Sequence, residues 1–267
     1  MLPSRYFADL TQPEIAAQLK KNPFVILPCG SVEQHGPHLP TGTDTLAANI
    51  IAHAVAERMD GLVLPATPFG VTPMHMPFEG TITLTPDTYM RVQTETCAST
   101  AQHGAKYLML MNWHEGNIPS LAIAAEALHR THGMTVLTVQ ACYVAEELYG
   151  GSCNGLTHGG EIEALAVLAN RPELVHLDRI ENSSDHSHGH RMDKLRRTRS
   201  YQPVLTDIRS IAPTGWFGAP QHANAEKGHR MVGDIADAIA REAAAIFRQL
   251  DAVQGGSAEL KQLRQVG

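Results

Sequence analysis

Short apolar runs alternate along the chain with longer stretches of helical periodicity. This is the rhythm of a mainly parallel sheet covered by helices on both faces. Residues 24–28, 61–65, 107–111 and 134–140 read as the strands. Helix starts are marked by Thr11 with Glu14 three residues on, by Thr43 or Asp44 leading into 46–59, and by Thr85-Pro-Asp leading into 89–103. His103-Gly104 supplies a stop. Further helices are expected over 118–132, 161–170 and 226–250, the last an Ala/Ile-rich amphipathic segment. No Pro/Ser-rich linker, charge block or internal repeat divides the chain, so residues 1–253 are expected as one α/β domain. Residues 254–267, with their Gly-Gly-Ser, read as a flexible tail.

Ligands bind to an open parallel sheet beyond the carboxyl ends of its strands, and here polar, Gly-bearing loops follow three of the strands. The first holds Glu33, His35, His38 and Asp44, with Gly36, Pro37, Pro40 and Gly42 to bend it. Carboxylate oxygen and imidazole nitrogen together suit zinc, manganese or iron. The second, Asn112 to Asn117, carries His114, which reads equally as a metal ligand or as a satisfied polar residue at a strand end. Asn117 is expected to cap or tighten that turn. The third spans 142–158, and Thr157-His-Gly-Gly-Glu-Ile-Glu163 then opens a helix with two carboxylates. Negative residues there also suit the helix dipole. Glu161 is structural on that ground, and Glu163 stays open.

Composition narrows the classes of function. The 267 residues are 43% hydrophobic and 18% charged, enough apolar material for a sizeable core. A formal charge of −6, with Lys194-Leu-Arg-Arg-Thr-Arg199 the one basic cluster, argues against nucleic acid as the main partner; that run is expected as a solvated loop or helix face. No apolar stretch is long enough to span a bilayer and the first residues lack the order of a signal peptide, so the expected location is the cytoplasm. Cys29, Cys97, Cys142 and Cys153 are scattered and are expected to be reduced. Fifteen histidines lean the composition towards metal chemistry. Three of them alternate in Asp185-His-Ser-His-Gly-His190, expected as an exposed mobile loop.

Five blocks, taken together, resemble the creatininase (creatinine amidohydrolase) family. They are Glu33-Gln-His-Gly-Pro-His-Leu-Pro with Asp44, His75-Met-Pro-Phe-Glu-Gly-Thr81, Trp113-His-Glu-Gly-Asn117, His158-Gly-Gly-Glu-Ile-Glu163, and Gly218-Ala-Pro-Gln-His-Ala-Asn-Ala-Glu-Lys-Gly228. The resemblance implies a three-layer α/β/α fold, a site for two divalent ions (zinc, manganese or iron), hydrolysis of a small amide or cyclic amide, and a homo-oligomer, often a hexamer. It also implies residue roles. Glu33 and His114 match ligands of one ion, His35 a ligand of the other, and Asp44 the bridging carboxylate. The creatininase glutamate two residues after the ligand histidine is replaced here by Gly116, and Glu163 resembles the carboxylate that takes over in relatives. His158 resembles the histidine that handles a proton at the leaving group, with an ordinary pKa near ~6.5 that suits the transfer.

Departures from the family pattern concern the substrate. Glu115 puts an anion where relatives leave room or touch substrate, and Glu79 stands where Pro is common, which makes creatinine itself a poor candidate. Glu115 either joins His158 in catalysis by holding a cationic or hydrogen-donating group, or is a salt-bridged loop carboxylate. Trp113, Trp216 and His75 are candidate substrate contacts, with burial in a core or interface the alternative for the tryptophans. The expected function is therefore a metal-dependent amidohydrolase cleaving a C–N bond of a small amide, cyclic amide or amidine with a metal-activated water. The alternatives are a deformylase or peptide-trimming maturation enzyme of the same family, or a metal-dependent binding protein without turnover.

Overall fold

The computed structural model describes residues 2–180, 187–197 and 204–254. Four parallel strands, β1 (Phe24–Cys29), β2 (Leu62–Val63), β3 (Tyr107–Asn112) and β4 (Thr135–Gln140), form one sheet in the order β2-β1-β3-β4. Phe24 lies opposite Tyr107, which in turn lies opposite Thr135, and this register runs without a break to Cys29, Asn112 and Gln140. Three strands therefore end level, and the loops that follow them leave from one edge. Asn112 fastens that edge by donating from its side-chain amide to the Gln140 side chain at 2.7 Å.

Side chains of β1 and β3 alternate between two apolar cores, as the period of a strand requires. Phe24, Ile26, Tyr107, Met109 and Met111 enter one core with α2 (Thr43–Met59), α5 (Ala141–Tyr149), α6 (Glu161–Leu168) and α8 (Ala225–Gln254). Val25, Leu27, Leu108 and Leu110 enter the other, with residues of α1 (Gln12–Lys21), α3 (Pro86–Gln102) and α4 (Ile118–His132). Helices on both faces leave no solvated side, which is why these strands read as continuous apolar runs. The result is the expected three-layer α/β/α sandwich.

The local signals act as the sequence indicates. Thr11 and Glu14 form a capping box at α1, the Thr85 hydroxyl accepts from the Thr88 backbone N–H at the start of α3, and α3 ends at Gln102 with His103 as its C-cap and Gly104 at positive φ. Three expectations need correction. The second strand keeps only Leu62 and Val63 of the anticipated 61–65, opposite Val25 and Ile26; Leu64 still donates to the Ile26 carbonyl at 2.8 Å, and the chain leaves the ladder after that bond. The segment after β4 opens directly as α5, whose Ala141, Cys142 and Ala145 belong to the core. Residues Ser187–Arg196, anticipated mainly as loop, form α7; His186 and the tail beyond Gln254 lie outside the described residues. The four cysteines are buried and free. No helix among the described residues is long and apolar enough to cross a membrane.

Candidate metal centre

Beyond Cys29 the chain passes so close to α2 that a Cβ on Gly30 would run into the backbone of Asp44 and Thr45. That close approach sets Glu33 and His35 beside Asp44, in the first turn of α2. Asp44 Oδ2 accepts from the Ser31 hydroxyl at 2.7 Å and lies 3.0 Å from His114 Nδ1, while Oδ1 lies 3.3 Å from His35 Nε2. Glu33 accepts from the Thr72 hydroxyl and stands 3.4 Å from His114 Nδ1. Glu163, in the first turn of α6, accepts from the Gly159 N–H at 2.6 Å and lies 3.5 Å from His35 Nε2. All five side chains are buried.

The far side of each histidine decides what the near side offers. His35 donates from Nδ1 to the Glu33 carbonyl at 3.0 Å, and His114 donates from Nε2 to the Val71 carbonyl at 3.0 Å. A carbonyl can only accept, so in the neutral rings the inward nitrogens carry lone pairs, as in metal-ligating histidines whose other N–H is held by a backbone carbonyl. His35 Nε2 is buried without a hydrogen-bond partner. Two donor groups, Glu33/Asp44/His114 and His35/Asp44/Glu163, each bring their ligand atoms within 4.8 Å of one another and share Asp44. A third group, Glu33/His35/His158, meets the same limit.

Electrostatics point the same way. Burial opposes a charge on His35, yet Glu163 and Asp44 outweigh it and push its pKa up to about 10. Burial likewise opposes a charge on His114, and Glu33 with Asp44 drives its pKa well up. Burial raises Glu163 to about 8, against the attraction of His35. Three carboxylates in a dry pocket need positive charge nearby, and a divalent cation supplies it without desolvating a protonated imidazole.

Gly116 explains the missing glutamate. A Cβ there would collide with the Val71 carbonyl oxygen and the His114 ring, so no longer side chain fits, whereas Glu163 reaches the His35 side from α6. His158 donates from Nε2 to the Gln34 carbonyl at 2.7 Å and turns Nδ1 towards Glu33 Oε1 at 3.7 Å. Burial, with His35 and His75 as neighbours, holds its pKa well below 6.5. That direction departs from the ordinary value expected of His158 and favours the neutral ring.

The centre opens into a cavity of about 500 Å³ lined by Glu33, His75, Trp113, Glu115, His158 and Arg197 among others. Of the candidate substrate contacts, His75 and Trp113 border it. Trp216 does not: it is buried behind the site, edge-on to His38 with ring centroids 5.0 Å apart. His38 also turns away from the ligand groups and donates to the Gly159 carbonyl at 2.7 Å, burial pulling its pKa down to about 4. Glu115 faces the cavity but is paired at 2.6 Å with Arg197, which also binds Asp193 at 2.8 Å. Asn117 makes no side-chain cap; it ties Val71, Gly30 and Asn112 together beneath the site. Glu161 pairs with Lys227 at 2.7 Å, a structural role as expected.

Sequence reasoning passed over Arg197, Ser31, Thr72 and Gln34. The basic run around Arg197 carried a signal, but one read as solvation; the other three show no chemistry until folded.

Comparison with known proteins shows the family. The family model Creatininase, described as creatinine amidohydrolase, matches residues 8–243. A mycofactocin precursor peptide peptidase of Mycobacterium ulcerans (strain Agy99) is 32% identical over 80% of this chain and 82% of its own length. The creatinine amidohydrolase of Pseudomonas putida is 29% identical over 91% and 98%. A crystal structure of creatinine amidohydrolase superposes with a TM-score of 0.71 at 27% identity, covering 90% of this chain and 98% of that one. Creatininase structures of similar likeness include a manganese form and a zinc-zinc form.

Proposed function

Because the chain belongs to the creatininase family, we propose that it is a metal-dependent amidohydrolase that cleaves a C–N bond of a small amide, cyclic amide or amidine. The observation that carries this reading is Asp44, shared by two buried histidine–carboxylate groups whose outer ring nitrogens face backbone carbonyls, so that in the neutral rings the inward nitrogens are free to bind an ion. Glu33, Asp44 and His114 would hold one divalent ion, and His35, Asp44 and Glu163 a second; zinc, manganese and iron all suit such donors. Ions so held would acidify a water towards neutrality and polarise the substrate group under attack.

The chain's own residues do the rest. His158, neutral and with Nδ1 facing the centre, takes the proton released by the attacking water and returns it to the departing nitrogen. Glu115, held by Arg197, forms cavity wall rather than a proton carrier. Trp113 and the apolar cavity lining exclude bulk water and orient the substrate. A second reading, trimming of a peptide precursor, is favoured by the 32% identity to the mycobacterial peptidase and by a cavity of about 500 Å³.

The test is metal content per chain in the parent and in Asp44→Ala, with small amides, cyclic amides and short peptides assayed on the same samples. About two ions per chain, lost together with hydrolysis in the variant, are expected. At most one ion, indifferent to the substitution, would leave a mononuclear site or a non-catalytic binder. The preferred substrate class separates the two readings.

A further inference from the structure

Gln34 lies between two expected ligands, is buried, and reaches three groups with one amide nitrogen. Its Nε2 lies 2.7 Å from the Gly215 carbonyl, 3.1 Å from His75 Nδ1 and 3.1 Å from His158 Nε2. Its Oε1 accepts from the Gly36 N–H at 3.1 Å. A backbone N–H must donate and a carbonyl must accept, so these two contacts fix which end of the amide is nitrogen. Gly215, at φ +87°, allows the approach, since a Cβ there would collide with the amide.

The proton positions then follow in turn. His158 Nε2 donates to the Gln34 backbone carbonyl, so it cannot also accept from the Gln34 side chain. One of the two amide hydrogens goes to Gly215. The other has His75 Nδ1 as its remaining acceptor, which puts the proton of the neutral His75 ring on Nε2. His75 Nε2 and His158 Nδ1 both face Glu33 Oε1, each at 3.7 Å, beyond hydrogen-bond reach and on the wall of the cavity.

We infer that Gln34 sets opposite proton positions on two neighbouring histidines, so that His75 offers an Nε2–H donor to the charge developing on the substrate while His158 offers a bare Nδ1. His75 is thus a catalytic residue and Gln34 a positioning residue. A fixed donor aimed at developing charge needs no reorganisation during reaction, and loss of one such donor typically slows turnover about 100-fold or more. This inference rests on the amidohydrolase reading for its chemistry, but the proton positions can be read without turnover.

The experiment combines nitrogen-15 NMR of histidine-labelled, zinc-loaded protein with kinetics of His75→Gln, His75→Met and Gln34→Met. The parent should show His75 and His158 each protonated at Nε2 and bare at Nδ1. His75→Met should lower kcat about 100-fold with metal content retained, and His75→Gln, which keeps a donor near the Nε2 position, should recover at least tenfold of it. Gln34→Met should scramble the His75 proton position and lower kcat, with KM within about threefold, since ground-state binding is unchanged. A parent His75 protonated at Nδ1, or a His75→Gln no faster than His75→Met in a parent that turns over, would overturn the inference. Absence of turnover by the metal-loaded parent on every substrate would instead sink the amidohydrolase reading, while the spectra still decide the proton map.

Discussion

Asp44 bears two loads at once: it lies against both inward histidine nitrogens, and its second oxygen is steadied by Ser31. His158 differs in that its Nδ1 sits 3.7 Å from Glu33 Oε1, beyond hydrogen-bond reach, while its Nε2 is held by the Gln34 carbonyl. His158→Ala is therefore expected to lower kcat at least 100-fold, in the range of lost general acid–base catalysis, with metal content unchanged by elemental analysis. Loss of metal together with rate would make it a ligand. Glu33, His35 and Asp44 were legible in the sequence because they fall in one short segment whose residue types have a shared chemistry. Glu163 stayed open there for a physical reason: a carboxylate in the first turn of a helix is favourable in any protein, and only the approach of α6 to His35 gives it a partner.

At the scale of elements, level strand ends matter more than strand length. β1, β3 and β4 finish at Cys29, Asn112 and Gln140, so the loops bearing Glu33, His114 and the approach to His158 start from one line. The opposite end of α2 is held differently. Asp60 closes that helix in the left-handed region at φ 55° and pairs with Arg5 at 2.6 Å and Lys21 at 2.7 Å. Asn tolerates the same backbone, so Asp60→Asn removes charge alone and is expected to cost about 1 kcal/mol in denaturant unfolding at neutral pH. Burial raises the Asp60 pKa, but Lys21 and Arg5 outweigh it and leave it below the ordinary value. The folded value lies under the unfolded one, so this stability is present above the usual carboxylate range and is lost as pH falls through the folded pKa. The difference between parent and variant should fade in acid; a constant difference would refute the ion-pair account. Helix starts with Ser/Thr caps were readable beforehand. α5 was not, because its alanines and cysteine become a core face only when α8 lies across them.

Taken whole, the molecule encloses three carboxylates and two ligand-type histidines among loops from separated parts of the chain. Stripping metal should leave that charge uncompensated. With free metal at about 100 times its Kd, removal is expected to lower Tm by roughly 5–10 °C, and zinc or manganese should restore it in calorimetry. An unchanged Tm, with metal shown by analysis to be gone, would mean the centre is not coupled to folding. The far wall of the cavity also exists only at this scale: Arg197, just past α7, reaches Glu115 and the Leu156 carbonyl across 82 and 41 residues of sequence.

The sequence by itself determined the alternation of strands and helices, since burial on both faces demands apolar runs and capping is local. It determined the class of chemistry, since Glu, His and Asp in one bent segment have few other uses, and five ordered blocks identified the family. Tertiary structure alone decided that Trp216 lies behind the site, that Arg197 is drawn into the wall, and that Gln34 joins two histidines. Those outcomes depend on which distant backbone carbonyls and carboxylates come within about 3 Å, the reach of a hydrogen bond, and a contact of that range is set by packing between elements rather than by any spacing along the chain.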